Sequence, residues 1–227
     1  MESELHQAFT AAAGQDHRSR VAQARRTRTR SRILTAAIGV FVTQGRYGLV
    51  VEDFIRAAGV SRGTFYNYFR SVDELFEAAS RMLEDDLMLS IESALAPLSD
   101  PVDRLATGVR LWLAKAAKDR EWCAFVAQND RRGTLVDESV MKDLRDGRAL
   151  GAFRIPSIEA ARDLLVGTVR EAMVRMAAGG MPPGYANAIA RSILGALGLD
   201  AAAVDARMSR PLPPMRRAVR TIIRPID

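Results

Sequence analysis

The side chains best suited to chemistry lie in one run of the chain, residues 50–75, VVEDFIRAAGVSRGTFYNYFRSVDEL. Between Ser61 and Arg70 this run has two arginines, a threonine, an asparagine and two tyrosines beside small and aromatic residues. Guanidinium, hydroxyl and amide groups hydrogen-bond to phosphate oxygens and to the edges of bases. The run therefore favours contact with nucleic acid over any catalytic scheme.

Local signals indicate a helix on each side of a tight turn. The segment 52–58 has apolar side chains at Phe54 and Ala58, a spacing typical of a helix with one buried face. Gly59 can adopt the left-handed backbone that ends a helix without a Cβ clash. Ser61 is a good N-cap, because its hydroxyl can accept hydrogen bonds from the free amides of the next turn.

The segment 62–69 is predicted to form the second helix, with two different faces. Phe65 and Phe69 lie four residues apart on the side that is predicted to be buried. The other side carries polar groups from Thr64, Asn67 and Tyr68, with Tyr66 at the edge. A capping box of Ser71 and Glu74 then predicts the start of a third helix. Three helix boundaries in so short a run indicate a helix-turn-helix motif.

The same residues resemble the DNA-binding domain of TetR-family transcriptional regulators. The likeness lies in Ala58 to Phe69, AGVSRGTFYNYF, followed by Ser71 and Glu74-Leu75, and it extends over about residues 28–76. The preceding helix, predicted for Arg30 to Gly45, resembles the first helix of that family. The chain departs from the family pattern at three valines where Ser, Thr or Lys is usual: Val50, Val51 and Val72.

The resemblance implies that specific side chains read DNA. Arg62 and Gly63 begin the recognition helix and would reach base edges in the major groove, where an arginine–guanine pair contributes roughly 1–3 kcal/mol of discrimination. Tyr66 would contact bases or sugars, and three polar neighbours would hold phosphates. The predicted DNA-binding set is Arg28, Arg30, Ser61, Arg62, Gly63, Thr64, Tyr66, Asn67, Tyr68 and Arg70.

Charge is distributed unevenly along the chain. Residues 1–70 contain 11 Arg and 5 acidic residues, residues 71–206 contain 16 basic and 21 acidic residues, and residues 207–227 contain 6 Arg and one Asp. The net charges of the three segments are +6, −5 and +5. A basic segment that includes the helix-turn-helix is typical of a protein that binds nucleic acid through that part.

Composition argues against an enzyme. Both histidines, His6 and His17, lie in the N-terminal segment, so no histidine-based catalytic or metal site is expected in the core. The acidic cluster Glu84-Asp85-Asp86 is interpreted as solvated side chains on an exposed helix face. No phosphate-binding glycine loop follows a predicted strand. We therefore predict a non-enzymatic protein without cofactor or metal.

The chain is predicted to work in the bacterial cytoplasm. Its first 20 residues lack the apolar core of a signal peptide, and no stretch reaches the roughly 18 apolar residues that span a bilayer. The single cysteine, Cys123, excludes an intramolecular disulfide and suits a reducing compartment. Cys123 is interpreted as a small buried apolar residue.

Periodicity from Val72 onward is helical, and no alternating run typical of a strand occurs. We predict an all-α fold with an N-terminal three-helix helix-turn-helix DNA-binding domain and a larger C-terminal helical domain for ligand binding and dimerisation. The predicted segments are a flexible arm (1–24), the DNA-binding domain (25–72), the effector-binding and dimerisation domain (73–206) and a Pro/Arg-rich tail (207–227). The arm could lie along phosphates or in a minor groove, or stay disordered without DNA.

Two breaks in the helical pattern complete the prediction. Arg131-Arg132-Gly133 is expected to interrupt the helices of the body. The tail is expected to be extended, with one helical turn near residues 215–223.

The C-terminal helices allow two interpretations each. Those at about 156–179 and 183–199 are rich in small residues and, by resemblance, would pair with their copies in a homodimer; the alternative is packing within one chain. The helices at about 101–148 would by resemblance enclose a ligand cavity, or their large side chains would be ordinary core. The candidate cavity residues are Trp112, Trp122, Phe125, Met141 and Met173.

The preferred hypothesis is a repressor that binds a palindromic double-stranded DNA operator as a homodimer. A small, partly apolar effector would release it by changing the separation of the two DNA-binding domains. The alternative is a DNA-associated architectural protein without effector control, which would bind through its basic arm and tail with little sequence preference.

Overall fold

The computed structural model describes residues 2–129 and 134–215, and the surroundings of side chains within residues 20–129 and 135–215. Within these ranges the chain forms ten α-helices and no strand, which confirms the predicted all-α fold. None of the helices in the described part is long and apolar enough to cross a membrane.

The helices are α1 (Glu2–Gln44), α2 (Val51–Ala58), α3 (Arg62–Tyr66), α4 (Val72–Leu95), α5 (Pro101–Lys118), α6 (Arg120–Ala127), α7 (Thr134–Ala149), α8 (Ile158–Ala178), α9 (Tyr185–Ala196) and α10 (Ala201–Met208). They belong to two compact units, residues 1–79 and 80–227. The division lies within α4, whereas the sequence analysis ends the DNA-binding domain at residue 72, where α4 begins.

Helix α1 is much longer than the helix predicted from Arg30, because residues 2–24 are helical where a flexible arm is predicted. The upstream residues 2–29 contain no proline and are rich in Ala, Arg and Gln, which are strong helix formers. Their helical backbone does not require the apolar periodicity on which the prediction rests.

Aromatic side chains form the core of the first unit. Phe41 of α1 lies 4.8 Å from Phe54 of α2 and 5.1 Å from Phe76 of α4, measured between ring centroids. Phe65 and Phe69 are fully buried, as predicted, so one side of the second helix is held against the core. Burial of an aromatic side chain contributes several kcal/mol, and these rings therefore fix where α2 and α3 lie.

In the second unit, α6 packs against α8, and α10 is tied to α5. The Cys123 thiol is buried, as predicted, and donates a hydrogen bond to the Met173 carbonyl at 3.3 Å. The Arg110 guanidinium donates to the carbonyls of Arg207 and Arg210 at 2.9 Å each. The chain is irregular from residue 211 to 215. The predicted break at 131–133 and the predicted helical turn from 216 onward lie outside the described residues.

Candidate nucleic-acid interface and ligand cavity

The turn of the helix-turn-helix has the predicted geometry. Gly59 has φ 59° and ψ 44°, a left-handed conformation that favours glycine. The Val60 amide donates to the Ile55 carbonyl at 3.2 Å, which closes the turn. The Ser61 hydroxyl accepts the Thr64 amide at 3.1 Å and thereby caps α3.

The starts of α2 and α4 each use a carboxylate at the third helical position. Val50 has no hydroxyl to cap α2; instead the Asp53 carboxylate accepts the Val50 amide at 3.0 Å. At the start of α4 the Ser71 hydroxyl accepts the Glu74 amide at 3.1 Å. The Glu74 carboxylate accepts the amide of Arg70 at 2.7 Å, one residue before the partner that a capping box would use.

The recognition helix is shorter than the predicted 62–69. Helix α3 ends at Tyr66, because the Tyr68 amide turns tightly to the Phe65 carbonyl at 2.9 Å. This turn still leaves Phe69 buried while its polar neighbours face outward. The exposed residues are Arg62, Gly63, Tyr66 and Asn67, with Thr64 and Tyr68 half-buried. Tyr66 is 47% exposed, so much of this residue is accessible to a partner.

Arg62 forms an ion pair with Glu52 of α2, and both side chains are largely exposed. Exposed ion pairs contribute only about 0–1 kcal/mol, so the guanidinium can leave this partner at little cost. Until it does, the pair orients Arg62 and neutralises the carboxylate beside the motif.

An open groove of about 830 Å³ runs between α1 and residues 61–70, which we call the recognition turn. Arg25 and Arg26 line it opposite Thr64, Asn67 and Tyr68. The predicted DNA-binding set leaves out these two arginines. The signal that could have found them is periodic: residues 22, 25 or 26, and 29 continue the buried face of α1 upstream from Ile33 at helical spacing.

The other predicted DNA-binding arginines lie on the same unit. Arg28 and Arg70 are exposed. Arg30 is exposed too, but its guanidinium lies 5.5 Å from the ring centroid of Phe69, close enough for a cation–π contact. Arg30 therefore also supports the buried ring below the recognition turn.

A mainly apolar cavity lies among the helices of the second unit. Its apolar wall residues are Met88, Ile91, Leu95, Leu105, Gly108, Val109, Trp112, Val126, Ala127, Val136, Val140, Leu165, Val166, Val169 and Met173. They come from α4, α5, α6, α7 and α8. The space between the atoms of the cavity and its open mouth is about 860 Å³. The centre of a water-sized sphere can occupy about 100 Å³ of it.

The five predicted cavity residues are not all in this wall. Trp112 and Met173 line it together, since the Trp112 indole N–H points to the Met173 sulfur at 3.2 Å. Trp122 and Phe125 are buried on α6 outside the wall, and Trp122 lies edge-on to Trp112 at 5.8 Å. Met141 is half-buried on α7, also outside the wall.

Six polar or charged residues complete the wall. Arg104 donates to Asp143 at 2.9 Å, to Glu92 outside the wall at 2.9 Å, and to the Leu95 carbonyl at 3.2 Å. Burial raises the pKa of the Asp143 carboxyl, and the hydrogen bond from Arg104 opposes this shift. The others are Glu84, Asn129, Ser139 and Arg170.

The interpretation of Glu84-Asp85-Asp86 as solvated side chains is wrong. Glu84 is only 6% exposed and lines the cavity, while Asp85 and Asp86 are half-buried. Burial raises the pKa of the Asp85 carboxyl. The acids lie on consecutive positions of α4, and a helix turns consecutive side chains to different sides. Among the described residues, no group of His, Cys, Asp and Glu is arranged to hold a metal ion.

Helices α8 and α9 pack together in one chain and still leave faces that contain small residues at least partly exposed. On α8 this face repeats at alternating steps of four and three residues: Ala160, Leu164, Gly167, Glu171, Val174 and Ala178. Leu164 and Val174 are each 43% exposed. A Cβ atom added at Gly167, or at Gly195 on α9, would meet no other atom within 4 Å. Packing within one chain therefore does not require either glycine.

These features define a class, the all-helical proteins with an N-terminal helix-turn-helix. Residues 33–79 match the family model described as bacterial regulatory proteins, tetR family. The helix-turn-helix domain of the chain thus belongs to the TetR family, and the comparisons support a TetR-family transcriptional regulator.

The named relatives are regulators of transcription. The activator FasR of Mycolicibacterium smegmatis is 29% identical over 105 residues, 46% of this chain and 48% of that protein. The repressor DhaR of Mycobacterium sp. (strain GP1) is 35% identical over 81 residues, 35% of this chain and 41% of that protein. The chain thus spans about half the length of the curated relatives it matches. These names agree with the prediction that the chain is not an enzyme.

Solved structures share the fold over most of the chain. RolR without ligand is 25% identical, with a TM-score of 0.71, over 82% of this chain and 100% of that one. RolR in complex with resorcinol is 22% identical, with a TM-score of 0.68, over 86% and 100%. FadR from Bacillus subtilis in complex with stearoyl-CoA is 18% identical, with a TM-score of 0.56, over 74% and 98%.

Proposed function

We propose that this chain is a homodimeric, ligand-responsive repressor of transcription that binds a palindromic DNA operator. The observation that carries the proposal is the two-sided recognition turn. Phe65 and Phe69 are buried beneath it, while Arg62, Tyr66 and Asn67 are exposed. Such a surface presents hydrogen-bonding side chains to a polar partner from a rigid support.

In this proposal the polar side chains of the recognition turn have different roles in DNA binding. Arg62 reads a guanine in the major groove, and Tyr66 contacts a neighbouring base or sugar. Thr64, Asn67 and Tyr68 hold phosphates. Ser61 orders the turn through its cap, and Gly63 allows close approach of the backbone. Arg28, Arg30 and Arg70 contribute positive charge around this surface.

Arg25 and Arg26 extend the proposed interface along the groove beside α1. Both line the same groove as Thr64, Asn67 and Tyr68. A phosphate backbone along this groove would meet two guanidinium groups and the three polar groups opposite. A rigid helix loses less conformational entropy on binding than a flexible arm would.

The partly exposed faces of α8 and α9, which contain small residues, support dimerisation. Glycine within a helix costs about 1 kcal/mol relative to alanine. Gly167 and Gly195 are therefore expected at positions where a close neighbour leaves no room for a side chain. A second copy of the chain would supply that neighbour. A two-fold dimer would bind two half-sites about 34–36 Å apart, which a single short recognition helix cannot do.

The cavity is proposed to receive the effector. Helix α4 supplies Glu84, Met88, Ile91 and Leu95 to the wall, and its first residues, from Val72, belong to the unit with the recognition turn. A ligand that favours one position of α4 would therefore shift the equilibrium between conformations that fit and do not fit the operator. In a repressor, release of DNA on ligand binding would allow transcription to resume.

The test is a selection of bound sequences from random DNA with the full chain, with and without candidate small molecules. A palindromic motif that loses occupancy when a ligand is added is the expected result. Enrichment of no motif would instead support an architectural protein, and tighter binding with ligand would contradict the proposed release.

A further inference from the structure

We propose that the cavity takes an uncharged ligand of mainly hydrocarbon character, held by apolar contact without a charged or hydrogen-bonding anchor. This ligand class rests on the proposed function, in which the cavity receives the effector. Three features of the wall lead to it: the apolar lining, the partners of the polar groups and the excess of carboxylates over guanidinium groups.

Apolar side chains form most of the wall, and each of the five helices around the cavity contributes some of them. Met88 of α4 and Met173 of α8 are unbranched, so they can adapt to apolar partners of different shape. Removal of hydrocarbon surface from water is favourable in proportion to the area buried. A wall of this kind therefore binds an apolar ligand without any specific polar contact.

The polar side chains of the wall already have partners in the protein. The Arg104 guanidinium donates to Asp143 and to Glu92, each at 2.9 Å. It also donates to the Leu95 carbonyl at 3.2 Å, and Ser139 donates its hydroxyl to Glu92. The remaining polar residues of the wall interact with other groups of the protein as well: Glu84, Asn129 and Arg170.

The indole N–H of Trp112 is engaged too. It points to the Met173 sulfur at 3.2 Å, and both side chains line the cavity. With this N–H engaged, Trp112 contributes to the wall as an apolar group. A polar ligand would give up its hydrogen bonds to water and find these protein groups occupied, which is costly.

The charged groups in the wall and beside it oppose an ionised ligand. They are three carboxylates and two guanidinium groups: Glu84, Asp143, Glu92, Arg104 and Arg170. The excess of negative charge repels an anion. A cation would have to compete with Arg104, which forms ion pairs with Asp143 and Glu92 at 2.9 Å each. An uncharged ligand leaves these ion pairs intact.

Four probes of similar shape test the proposal: isopropylbenzene, benzamide, benzoate and benzamidine. Each is a benzene ring with one branched group of three heavy atoms, so the probes differ in polarity and charge and little in size. In isothermal titration calorimetry on the full chain at neutral pH, isopropylbenzene should bind at least about tenfold more tightly than each of the other three. A smaller preference, or no measurable binding of isopropylbenzene, would overturn the proposal.

Met173→Leu tests whether the engaged N–H of Trp112 contributes to this preference. Leucine has nearly the same volume but no sulfur, so the indole N–H loses its acceptor. We expect the affinity for benzamide, whose carbonyl accepts this N–H, to rise severalfold relative to that for isopropylbenzene. Met141→Leu, the same exchange outside the wall, is the matched control and should change neither affinity. An unchanged ratio in the Met173 variant would contradict the exclusion of polar ligands by this occupied group.

Gly108→Ala tests whether the probe lies in this cavity. The added Cβ would lie 3.6 Å from Leu95 Cδ1 and 3.8 Å from Ile91 Cγ2, which are ordinary contacts, so the fold should tolerate it. We expect a severalfold weaker affinity for isopropylbenzene at an unchanged or higher Tm. Gly39→Ala, the same exchange in α1 where the added Cβ meets no atom within 4 Å, is the matched control. Equal affinities of the two variants would place the probe outside the cavity and overturn the proposal.

DNA binding is measured separately on the same preparations. Binding of isopropylbenzene without selection of a DNA motif would leave the ligand class intact and contradict the proposed regulator. Selection of a palindrome together with a preference for a polar or charged probe would leave the regulator intact and overturn the ligand class.

Discussion

The recognition turn and the cavity are built in opposite ways. The recognition turn has its exposed polar side chains in one short run, with Phe65 and Phe69 buried beneath them and a Ser61 cap at the start of α3. The cavity takes its wall from five helices, with apolar side chains directed inward and charges that are paired across long stretches of sequence. A surface of the first kind depends on residues that are neighbours in the sequence. A cavity of the second kind exists only after the helices have packed.

The two sides of the recognition turn give the largest contrast. Phe65→Ala should lower the free energy of unfolding by about 3–5 kcal/mol, because it leaves a cavity beneath α3. Tyr66→Ala should change it by less than about 0.5 kcal/mol and yet weaken operator binding. Urea unfolding and a DNA titration of both variants measure this. Equal loss of stability would mean that Tyr66 belongs to the core.

The exposed face of α8 should affect DNA binding only through assembly. Gly167→Arg is expected to convert dimer to monomer and to weaken operator binding at least tenfold, because the second half-site is lost. Sedimentation and a DNA titration measure the two effects. Glu138→Arg, a charge change at an exposed position of α7, is the control. A dimer that persists in the Gly167 variant would remove α8 from the interface.

Arg62 should set the base preference at one position of the operator. Arg62→Ala is expected to cost about 1–3 kcal/mol of operator affinity and to relax the preference at a single position. A titration against operator variants tests this, with Arg145→Ala, an exposed arginine on α7, as the control for charge. If every operator variant weakened to the same extent, Arg62 would be a phosphate contact.

Glu52 should have a smaller effect in the opposite direction. Glu52→Gln frees Arg62 from its ion pair and removes a negative charge beside the motif. We expect a few-fold gain in affinity for all DNA and a lower preference for the operator. Binding over a series of salt concentrations measures both, and a gain confined to the operator would contradict this role.

The smallest expected effect is the pH dependence of stability that comes from the buried Cys123 thiol of the second unit. Burial, with a further contribution from Asp119, raises the pKa of Cys123 from its ordinary value of 9.0 to about 11. The folded protein thus binds more protons than the unfolded chain between these values, so stability from this group is present below pH 9.0 and declines toward pH 11. Native Cys123 should barely react with a thiol reagent at pH 8, whereas the unfolded chain should react readily; rapid native labelling would contradict its burial.

The recognition turn could be predicted in detail because each of its signals is local. Gly59, Ser61 and the two inward phenylalanines act within one or two helical turns, and all four have the predicted conformation or burial. The prediction was wrong where a local pattern was too weak a guide. Helix α3 ends at Tyr66 because the backbone forms a tight turn after it. Helix α1 extends upstream because residues with high helix propensity form a helix without an apolar face.

Sequence alone determined the all-α class, the helix-turn-helix and the residues that face away from its core, since hydrogen bonds within a helix and its caps join near neighbours. Only the tertiary structure decided that Glu84 lines a cavity, that Trp112 and Met173 meet there while Trp122 and Phe125 lie behind it, and that Arg25 and Arg26 border the recognition turn. These contacts are between residues far apart in the chain. They depend on which of several helices with similar apolar faces pack together.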